Sequence, residues 1–137
     1  MQAAILTELN KDLLIRNDVE VFGLGPRDVH VKIKASGVCH SDVSAQNGTI
    51  PSGTPCVLGH EGAGVVLEVG AAVTSVAPGD HVILSFVPAC NNCKPCFRHQ
   101  SYLCNHGMVQ ATSPHFMVDG KPLMGMTGLG TFAEEVI

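Results

Sequence analysis

The sequence predicts a mostly β fold, a partly open barrel with long functional loops. Two observations favour this class. Gly (15 residues) and Pro (8 residues) interrupt the 137-residue chain at short intervals, and the apolar runs between them are short and rich in β-branched residues. The apolar fraction of 45% is enough for one ordinary domain with a hydrophobic core.

Alternating hydrophobicity defines the first predicted strands. AAILTE (3–8) lies near the amino terminus, and VHVKIKAS (29–36) has the period of a strand with one solvated face. We predict that Val31, Ile33 and Ala35 share the buried face of this second segment, while the lysines and serine between them face solvent.

Three further segments complete the predicted strands. VVLEV (65–69) and HVILSFV (81–87) are rich in apolar and β-branched residues, and each follows a turn that contains glycine. TFAEEVI (131–137) is the last. Together these segments favour a β-rich architecture.

One short helix is predicted, at SDVSAQNG (41–48). Gly48 is typical of the residue that closes a helix, and Ser41 and Asp42 are candidates for its amino-terminal cap. The stretch from 105 to 126, rich in Met, Gly and Pro, is predicted to be a loop.

Charge and hydropathy exclude two classes of partner. The formal net charge is -4, and the eight Lys and Arg residues are spread thinly, so we expect no nucleic-acid partner. The amino terminus reaches charged residues too early for a signal peptide, and no run approaches the about eighteen apolar residues of a membrane span. We therefore expect a soluble cytoplasmic protein without a membrane partner, in which thiols stay reduced.

Four of the six cysteines lie within a short segment, at spacings of three, three and eight residues. Zinc prefers four ligands in a tetrahedron, and four thiolates at roughly 2.3 Å would satisfy it with no position left for water. The spacing therefore predicts a closed, structural metal site in a lobe at about 88–106. Its proposed ligands are Cys90, Cys93, Cys96 and Cys104.

Two other uses of these cysteines fit the sequence less well. An iron–sulfur cluster of the bacterial ferredoxin type has its fourth cysteine after three residues and then a proline, whereas here seven residues intervene and Asn105 follows. A thioredoxin-type CxxC would lie near a βαβ pattern, which this sequence lacks. Zinc is therefore the favoured metal.

A second group of candidate ligands lies upstream. Cys39 in GVCHSD (37–42) and His60 in GHEGAG (59–64) could give one sulfur and one nitrogen to a single zinc. Taken singly, a cysteine is usually a small buried apolar residue and a histidine an ordinary polar one. A catalytic zinc typically takes three protein ligands, so this pair is one short.

These two motifs, the turn PGD (78–80), the four-cysteine segment and the terminal GTFAE together resemble the catalytic domain of the zinc-dependent alcohol dehydrogenases. These enzymes belong to the medium-chain dehydrogenase/reductase family, and the resemblance covers essentially the whole chain. It implies a GroES-like β-barrel in which residues 1–137 form an incomplete catalytic domain with the zinc lobe. In the family a Rossmann α/β domain that binds NAD or NADP follows, and we expect it to be absent from this sequence.

The resemblance also implies roles for individual residues. Cys39 and His60 match the catalytic zinc ligands, and the third ligand of the family is usually a cysteine beyond Ile137. Glu61 matches a carboxylate that lies behind the metal. Asp42 matches an acid that accepts a hydrogen bond from the zinc-bound histidine and fixes its ring.

Further matches concern the substrate and the cofactor. Ser41 matches the hydroxyl that contacts the alcohol oxygen and begins the proton relay, although it could instead cap the helix. His40 matches a position that faces the cofactor diphosphate, and Ile50 and Phe86 match positions of the substrate pocket. Some members have a histidine as the relay's outlet where this chain has Ser44.

The implied activity is oxidation of primary or secondary alcohols to aldehydes or ketones with NAD(P) and zinc. The implied partner is a small-molecule alcohol or aldehyde, and the complete enzyme is expected to be a homo-oligomer. The 137-residue chain alone is expected to be inactive, because it lacks the third ligand and the cofactor domain. The alternative is a zinc-stabilised, non-enzymatic binding module whose four-cysteine lobe is an interaction surface.

Overall fold

The computed structural model describes residues 1–107 and 111–137, and most of its regular structure is β-sheet. Helices α1 (His40–Gln46) and α2 (Lys94–Phe97) and the 3₁₀ turns Ser101–Leu103 and Met126–Gly128 lie between the strands. The strands are β1 (Ala3–Leu6), β2 (Leu14–Arg16), β3 (Glu20–Val21), β4 (Val29–Gly37), β5 (Cys56–Val57), β6 (Glu61–Val69), β7 (His81–Ile83), β8 (Pro114–Val118), β9 (Lys121–Gly125) and β10 (Glu135–Val136).

The strands form two sheets that enclose the main core. The first has the order β2–β1–β5–β9–β8–β3, and the second has the order β10–β4–β6–β7. All pairs are antiparallel except β5 with β9. The predicted mostly β, partly open barrel with long loops is confirmed. Its buried apolar residues include Ile5, Val19, Val31, Val57, Phe116, Leu123 and Val136.

The long strand β4 follows the predicted alternation only along its first half. Val31 is buried and Ile33 is half-buried, as predicted, but Ala35 is exposed. The cause is a β-bulge between Ile33 and Ala35, which shifts the inward positions by one residue. Ser36 therefore turns inward, and its hydroxyl lies 2.7 Å from that of Thr131.

The other predicted strands are present, but one is shorter than expected. Segments 3–8, 65–69 and 131–137 contain β1, the second half of β6 and β10. The strand predicted at 81–87 ends at Ile83, because the chain then bends into a local turn in which Ser85 and Val87 bond to each other.

The loop predicted at 105–126 is wrong for 114–125, which forms the β8–β9 hairpin. Asp119 (φ 51°) and Gly120 (φ 71°) form its two-residue turn, and Val118 pairs with Lys121. Positive φ at both central positions is typical of the hairpin turns that Asp-Gly favours. Residues 108–110 of the predicted loop lie outside the described residues.

Helix α1 is confirmed, but its cap differs from the prediction. The amino-terminal cap is Cys39, not Ser41 or Asp42. Asp42 lies in the first turn instead, and its carboxylate accepts a hydrogen bond from the Cys39 backbone N–H (2.9 Å). This contact is one half of a capping box, and it fixes Cys39 and Asp42 relative to each other. No helix in the described residues is long and apolar enough to cross a membrane.

The segment before β10 holds in place the chain that follows β5. The backbone N–H groups of Thr131 and Phe132 donate to the carbonyls of Gly59 and Leu58, each at 2.9 Å. Ala4 donates in turn to the Phe132 carbonyl at 2.9 Å. The end of the described chain therefore fixes the backbone next to His60.

Candidate metal centres and the neighbouring cavity

The four predicted structural cysteines converge on one point. The Sγ atoms of Cys90, Cys93, Cys96 and Cys104 all lie within 4.8 Å of one another, and those of Cys93 and Cys96 are 3.5 Å apart. A tetrahedron with bonds of roughly 2.3 Å has edges of roughly 3.8 Å, so the four sulfurs need to move little to hold zinc. The donor set and its geometry therefore fit a closed zinc site.

Backbone N–H groups are directed at these sulfurs and change their acidity. Cys90 and His106 donate to Sγ of Cys104 at 3.3 and 3.4 Å, and these hydrogen bonds lower the pKa of that thiol to about 6. A hydrogen bond from the backbone of Cys96 likewise lowers the pKa of Cys93. Burial raises the pKa of Cys96 itself to about 11. Thiolate is thus already favoured at part of the site, which suits metal binding.

The structure also brings together the second predicted group of ligands. The candidate ligand atoms of Cys39, His60 and Glu61 lie within 4.8 Å of one another. Cys39 is the cap of α1, while His60 immediately precedes β6 and is buried. Glu61 is exposed at the first position of β6. A thiol, an imidazole and a carboxylate are all zinc donors, so this set fits a zinc site that is more open than the first.

Asp42 connects the residues of this second centre. Its carboxylate is buried and accepts hydrogen bonds from the N–H groups of Cys39 (2.9 Å) and Gly59 (3.1 Å). One carboxylate oxygen also lies 3.3 Å from Nδ1 of His60, although that nitrogen makes no aligned hydrogen bond within the described residues. The carboxylate therefore positions both candidate ligands.

Ser41 lies on the other side of the His60 ring. Its hydroxyl is 3.1 Å from Nε2 of His60, the nitrogen that faces away from Asp42. His40, the preceding residue, is exposed, and its Nδ1 lies 3.3 Å from the hydroxyl of Ser44. Ser41 therefore lies at the Cys39–His60–Glu61 centre, whereas His40 lies on the exposed side of α1.

Phe86 connects the second centre to a large cavity. Its ring packs edge-on against His60, with centroids 6.1 Å apart and planes at 72°. The same residue lines a cavity of about 520 Å³, and so does Ile50. Ile50 and Phe86, the two predicted pocket residues, therefore line the same cavity. Tyr102 and Met124 also line it, and no motif or spacing in the sequence predicts this position for either residue.

The fold agrees with comparisons to known proteins. The family model described as "Alcohol dehydrogenase GroES-like domain" matches residues 25–137. "Alcohol dehydrogenase class-3" of Cereibacter sphaeroides is 41% identical over 145 residues, which cover 99% of this chain and 38% of that protein. "S-(hydroxymethyl)glutathione dehydrogenase" of Paracoccus denitrificans is 39% identical, with coverage of 99% and 38%.

Solved structures show the same architecture. An alcohol dehydrogenase zinc-binding domain protein from Burkholderia ambifaria superposes with a TM-score of 0.86 at 29% identity, covering 98% of this chain and 38% of that one. Benzyl alcohol dehydrogenase from Acinetobacter calcoaceticus gives 0.83 at 27% identity, with coverage of 98% and 37%. The chain thus spans less than two-fifths of the length of these relatives. It belongs to the family of alcohol dehydrogenase GroES-like domains.

Proposed function

We propose that the whole protein is a zinc-dependent alcohol dehydrogenase and that residues 1–137 form part of its catalytic domain. The observation that carries this proposal is the position of the Ser41 hydroxyl, 3.1 Å from Nε2 of His60 in the Cys39–His60–Glu61 group. A proton-accepting group at a candidate metal ligand suits alcohol oxidation, whereas a binding module needs no such second centre.

In this proposal Cys39 and His60 hold the catalytic zinc, and the third protein ligand comes from outside this chain. When bound, zinc acts as a Lewis acid that makes the alcohol hydroxyl more acidic. Glu61 is close enough to reach the same point when substrate or water exchanges. Cys90, Cys93, Cys96 and Cys104 hold a second, structural zinc within a lobe at 88–106.

The chain's own side chains then orient the substrate and move its proton. Ser41 accepts the hydroxyl proton of the alcohol and passes its own proton on, so that the oxygen keeps the O–H electron pair and uses it to form the C=O bond as hydride leaves the carbon for the nicotinamide cofactor. Asp42 keeps the His60 ring in position, and the ring of Phe86 covers its edge and limits access of water. A primary alcohol would yield an aldehyde and a secondary alcohol a ketone.

The hydride acceptor in this proposal is NAD or NADP, held by a domain outside this chain. His40, exposed on α1 beside this centre, would face the cofactor diphosphate. We further propose that the protein is cytoplasmic, because free clustered thiols suit a reducing compartment. The proposal that the complete enzyme is a homo-oligomer rests on the family resemblance. The 137-residue chain by itself should not turn over alcohol at a rate typical of whole enzymes.

The test is a Cys39→Ala/His60→Ala double variant of the full-length protein, with His81→Ala as control. His81 is exposed on β7 and lies outside both groups of ligands. The double variant should lose about one zinc per chain and its alcohol oxidation, and the control should keep both. Unchanged zinc content together with unchanged oxidation in the double variant would refute the proposal. Substantial alcohol turnover by residues 1–137 alone would refute the proposal that this chain is inactive by itself.

A further inference from the structure

Two of the four lobe cysteines lie on one helical turn with their sulfurs in contact. Cys93 is the amino-terminal cap of α2 and Cys96 lies within that helix, so the segment CKPC (93–96) places two residues between the thiols. Residues three apart on a helix face the same way, with Cβ atoms about 5 to 6 Å apart. Here the two Sγ atoms are 3.5 Å apart. A small adjustment of the two side chains would therefore let them form a disulfide.

The turn that carries this pair is held by bonds within itself. The backbone N–H of Phe97 donates to the carbonyl of Cys93 at 3.0 Å, and that of Arg98 donates to the carbonyl of Pro95 at 3.0 Å. The ring of Pro95 also fixes one φ angle between the two cysteines. The approach of the two sulfurs is thus set by neighbouring residues and does not depend on distant parts of the protein.

The other two sulfurs of the lobe are close enough to exchange with this pair. All four Sγ atoms, those of Cys90 and Cys104 included, lie within 4.8 Å of one another. Attack of a thiolate on a disulfide can therefore move the disulfide among them. It should settle on Cys93 and Cys96, because these sulfurs are already in contact on a formed turn.

We propose that Cys93 and Cys96 are a site of reversible oxidation, at which hydrogen peroxide forms a disulfide and thereby releases the zinc of the lobe. This inference goes beyond the proposed function and rests only on its assignment of a structural zinc to the four cysteines. Cysteine ligands are thiolates while the metal is bound, and the thiolate is the form that peroxide oxidises.

The oxidation proceeds in two steps. One thiolate of the pair attacks an oxygen of hydrogen peroxide, whose O–O bond breaks, and a sulfenic acid and hydroxide result. The second thiolate then attacks the sulfenic sulfur, so that the S–S bond forms and a second hydroxide leaves. Two electrons pass from the two sulfurs to the peroxide, and both hydroxides take up protons from water or buffer.

Loss of two ligands should empty the metal site. Zinc would keep only Cys90 and Cys104 of its four thiolates, which is too few for a closed tetrahedral site. A dithiol reductant would break the disulfide by exchange and allow the lobe to bind zinc again.

The experiment exposes the full-length, zinc-loaded protein to hydrogen peroxide in the presence of a chromophoric chelator. We expect release of about one zinc per chain from the lobe, together with the loss of two of its thiols. Differential alkylation and peptide mass spectrometry should find the disulfide between Cys93 and Cys96. Treatment with a dithiol and then zinc should restore both the thiols and the metal.

Two variants that each keep four zinc donors separate this pair from a general sensitivity of the lobe. Cys96→His removes one sulfur of the pair, whereas Cys104→His is the matched control that leaves the pair intact. Three cysteines and one histidine are a common set of ligands for structural zinc. Peroxide should release zinc from the Cys96→His variant at least about tenfold more slowly than from the wild-type protein. The Cys104→His variant should release it at the wild-type rate.

Retention of zinc by the wild-type lobe under peroxide would overturn the inference alone. Zinc release with the disulfide elsewhere, for example at Cys39, or equal release from the two histidine variants would do the same. If either variant fails to bind zinc, the disulfide found in the wild-type protein decides between the pairs. A lobe that holds no zinc before oxidation would overturn the structural zinc of the proposed function and the inference with it.

Discussion

The Asp42 carboxylate lies 3.3 Å from Nδ1 of His60, and both side chains are almost completely buried. The same carboxylate accepts the backbone N–H groups of Cys39 and Gly59. Two segments, the start of α1 and the residues just before β6, thus meet at one carboxylate. Positioning of a ligand by a neighbouring carboxylate typically changes metal affinity by about 10- to 100-fold.

Replacing Asp42 should therefore weaken both the fold and the second metal centre. Asp42→Ala leaves the buried N–H of Gly59 and the partly buried N–H of Cys39 unsatisfied and should lower the free energy of unfolding by about 3 kcal/mol. Zinc affinity at the Cys39–His60 centre should fall by about tenfold or more. Urea unfolding and competition with a chelator of known affinity measure the two effects.

The control for this prediction is Asp80→Ala. Asp80 is exposed, and its carboxylate accepts the N–H of exposed Ala77 at 2.8 Å, so the variant removes a similar hydrogen bond between two exposed residues. It should cost about 1 kcal/mol or less and leave zinc binding unchanged. An Asp42 variant no more damaging than the Asp80 variant would contradict the role assigned to Asp42.

Gly59 should tolerate no side chain, because it combines positive φ with crowding. Its φ is +90°, and a Cβ there would lie 2.6 Å from the ring of Phe132 and 2.7 Å from the hydroxyl of Thr131. Gly79 has a similar φ of +94° but open space around it. We expect Gly79→Ala to cost about 1 kcal/mol and Gly59→Ala about 3 kcal/mol or more, measured by urea unfolding. Equal losses would show that crowding at Gly59 is relieved by movement.

The zinc-free thiols should differ in reactivity at neutral pH. The backbone hydrogen bonds that lower the pKa of Cys104 to about 6 make it largely thiolate at pH 7, whereas Cys96 and buried Cys56 have pKa values raised to about 11. Iodoacetamide should therefore alkylate Cys104 first, with a midpoint near pH 6, as followed by peptide mass spectrometry. Equal rates at Cys104 and Cys96 at pH 7 would contradict this order.

The same shift predicts a pH dependence of stability for the zinc-free protein. A thiol whose pKa is lowered on folding, from 9.0 to about 6 for Cys104, releases its proton more easily in the folded state. Its contribution to stability should be complete above about pH 9 and disappear as the pH falls through about 6. Cys104→Ser should remove this part of the pH dependence in thermal unfolding measured between these values.

The four-cysteine lobe should hold one zinc independently of the second centre. Cys93→Ser/Cys96→Ser should remove about one zinc per chain, because two of four ligands are lost. It should also disorder the lobe, because the metal would link all four cysteines of the lobe; among the described residues, a hydrogen bond from Arg27 to the Cys90 carbonyl at 3.3 Å also holds it. Elemental analysis measures the first effect and limited proteolysis the second. Unchanged zinc content would exclude these four cysteines as a metal site. Iron in place of zinc would show that the site holds a different metal.

The sequence predicted what is encoded locally. The alternation in 29–36 and the β-branched runs located strands, and the cysteine spacing located a metal site, because each depends on residues that are near one another in the chain. The hairpin at Asp119–Gly120 carried an equally local pattern, which the richness of the stretch in Met, Gly and Pro obscured.

Other features depend on contacts between distant segments and could not be read from spacing. The bulge that exposes Ala35 arises from the pairing of β4 with β6. Tyr102 and Met124 meet across the cavity only because the lobe folds beside β9. Ile50 and Phe86 were predicted only through the family resemblance, since isolated apolar residues look like ordinary core.

The backbone hydrogen bonds from Thr131 and Phe132 to Gly59 and Leu58 set an order for events during synthesis. The ligands of the lobe span fifteen residues, so that metal site can form as soon as this short stretch has left the ribosome. The backbone beside His60, in contrast, is fixed by partners about seventy residues farther along the chain. A nascent chain would therefore be able to bind metal at the four-cysteine lobe early, and the centre proposed for chemistry would become competent to bind metal only after the segment around Thr131 had docked.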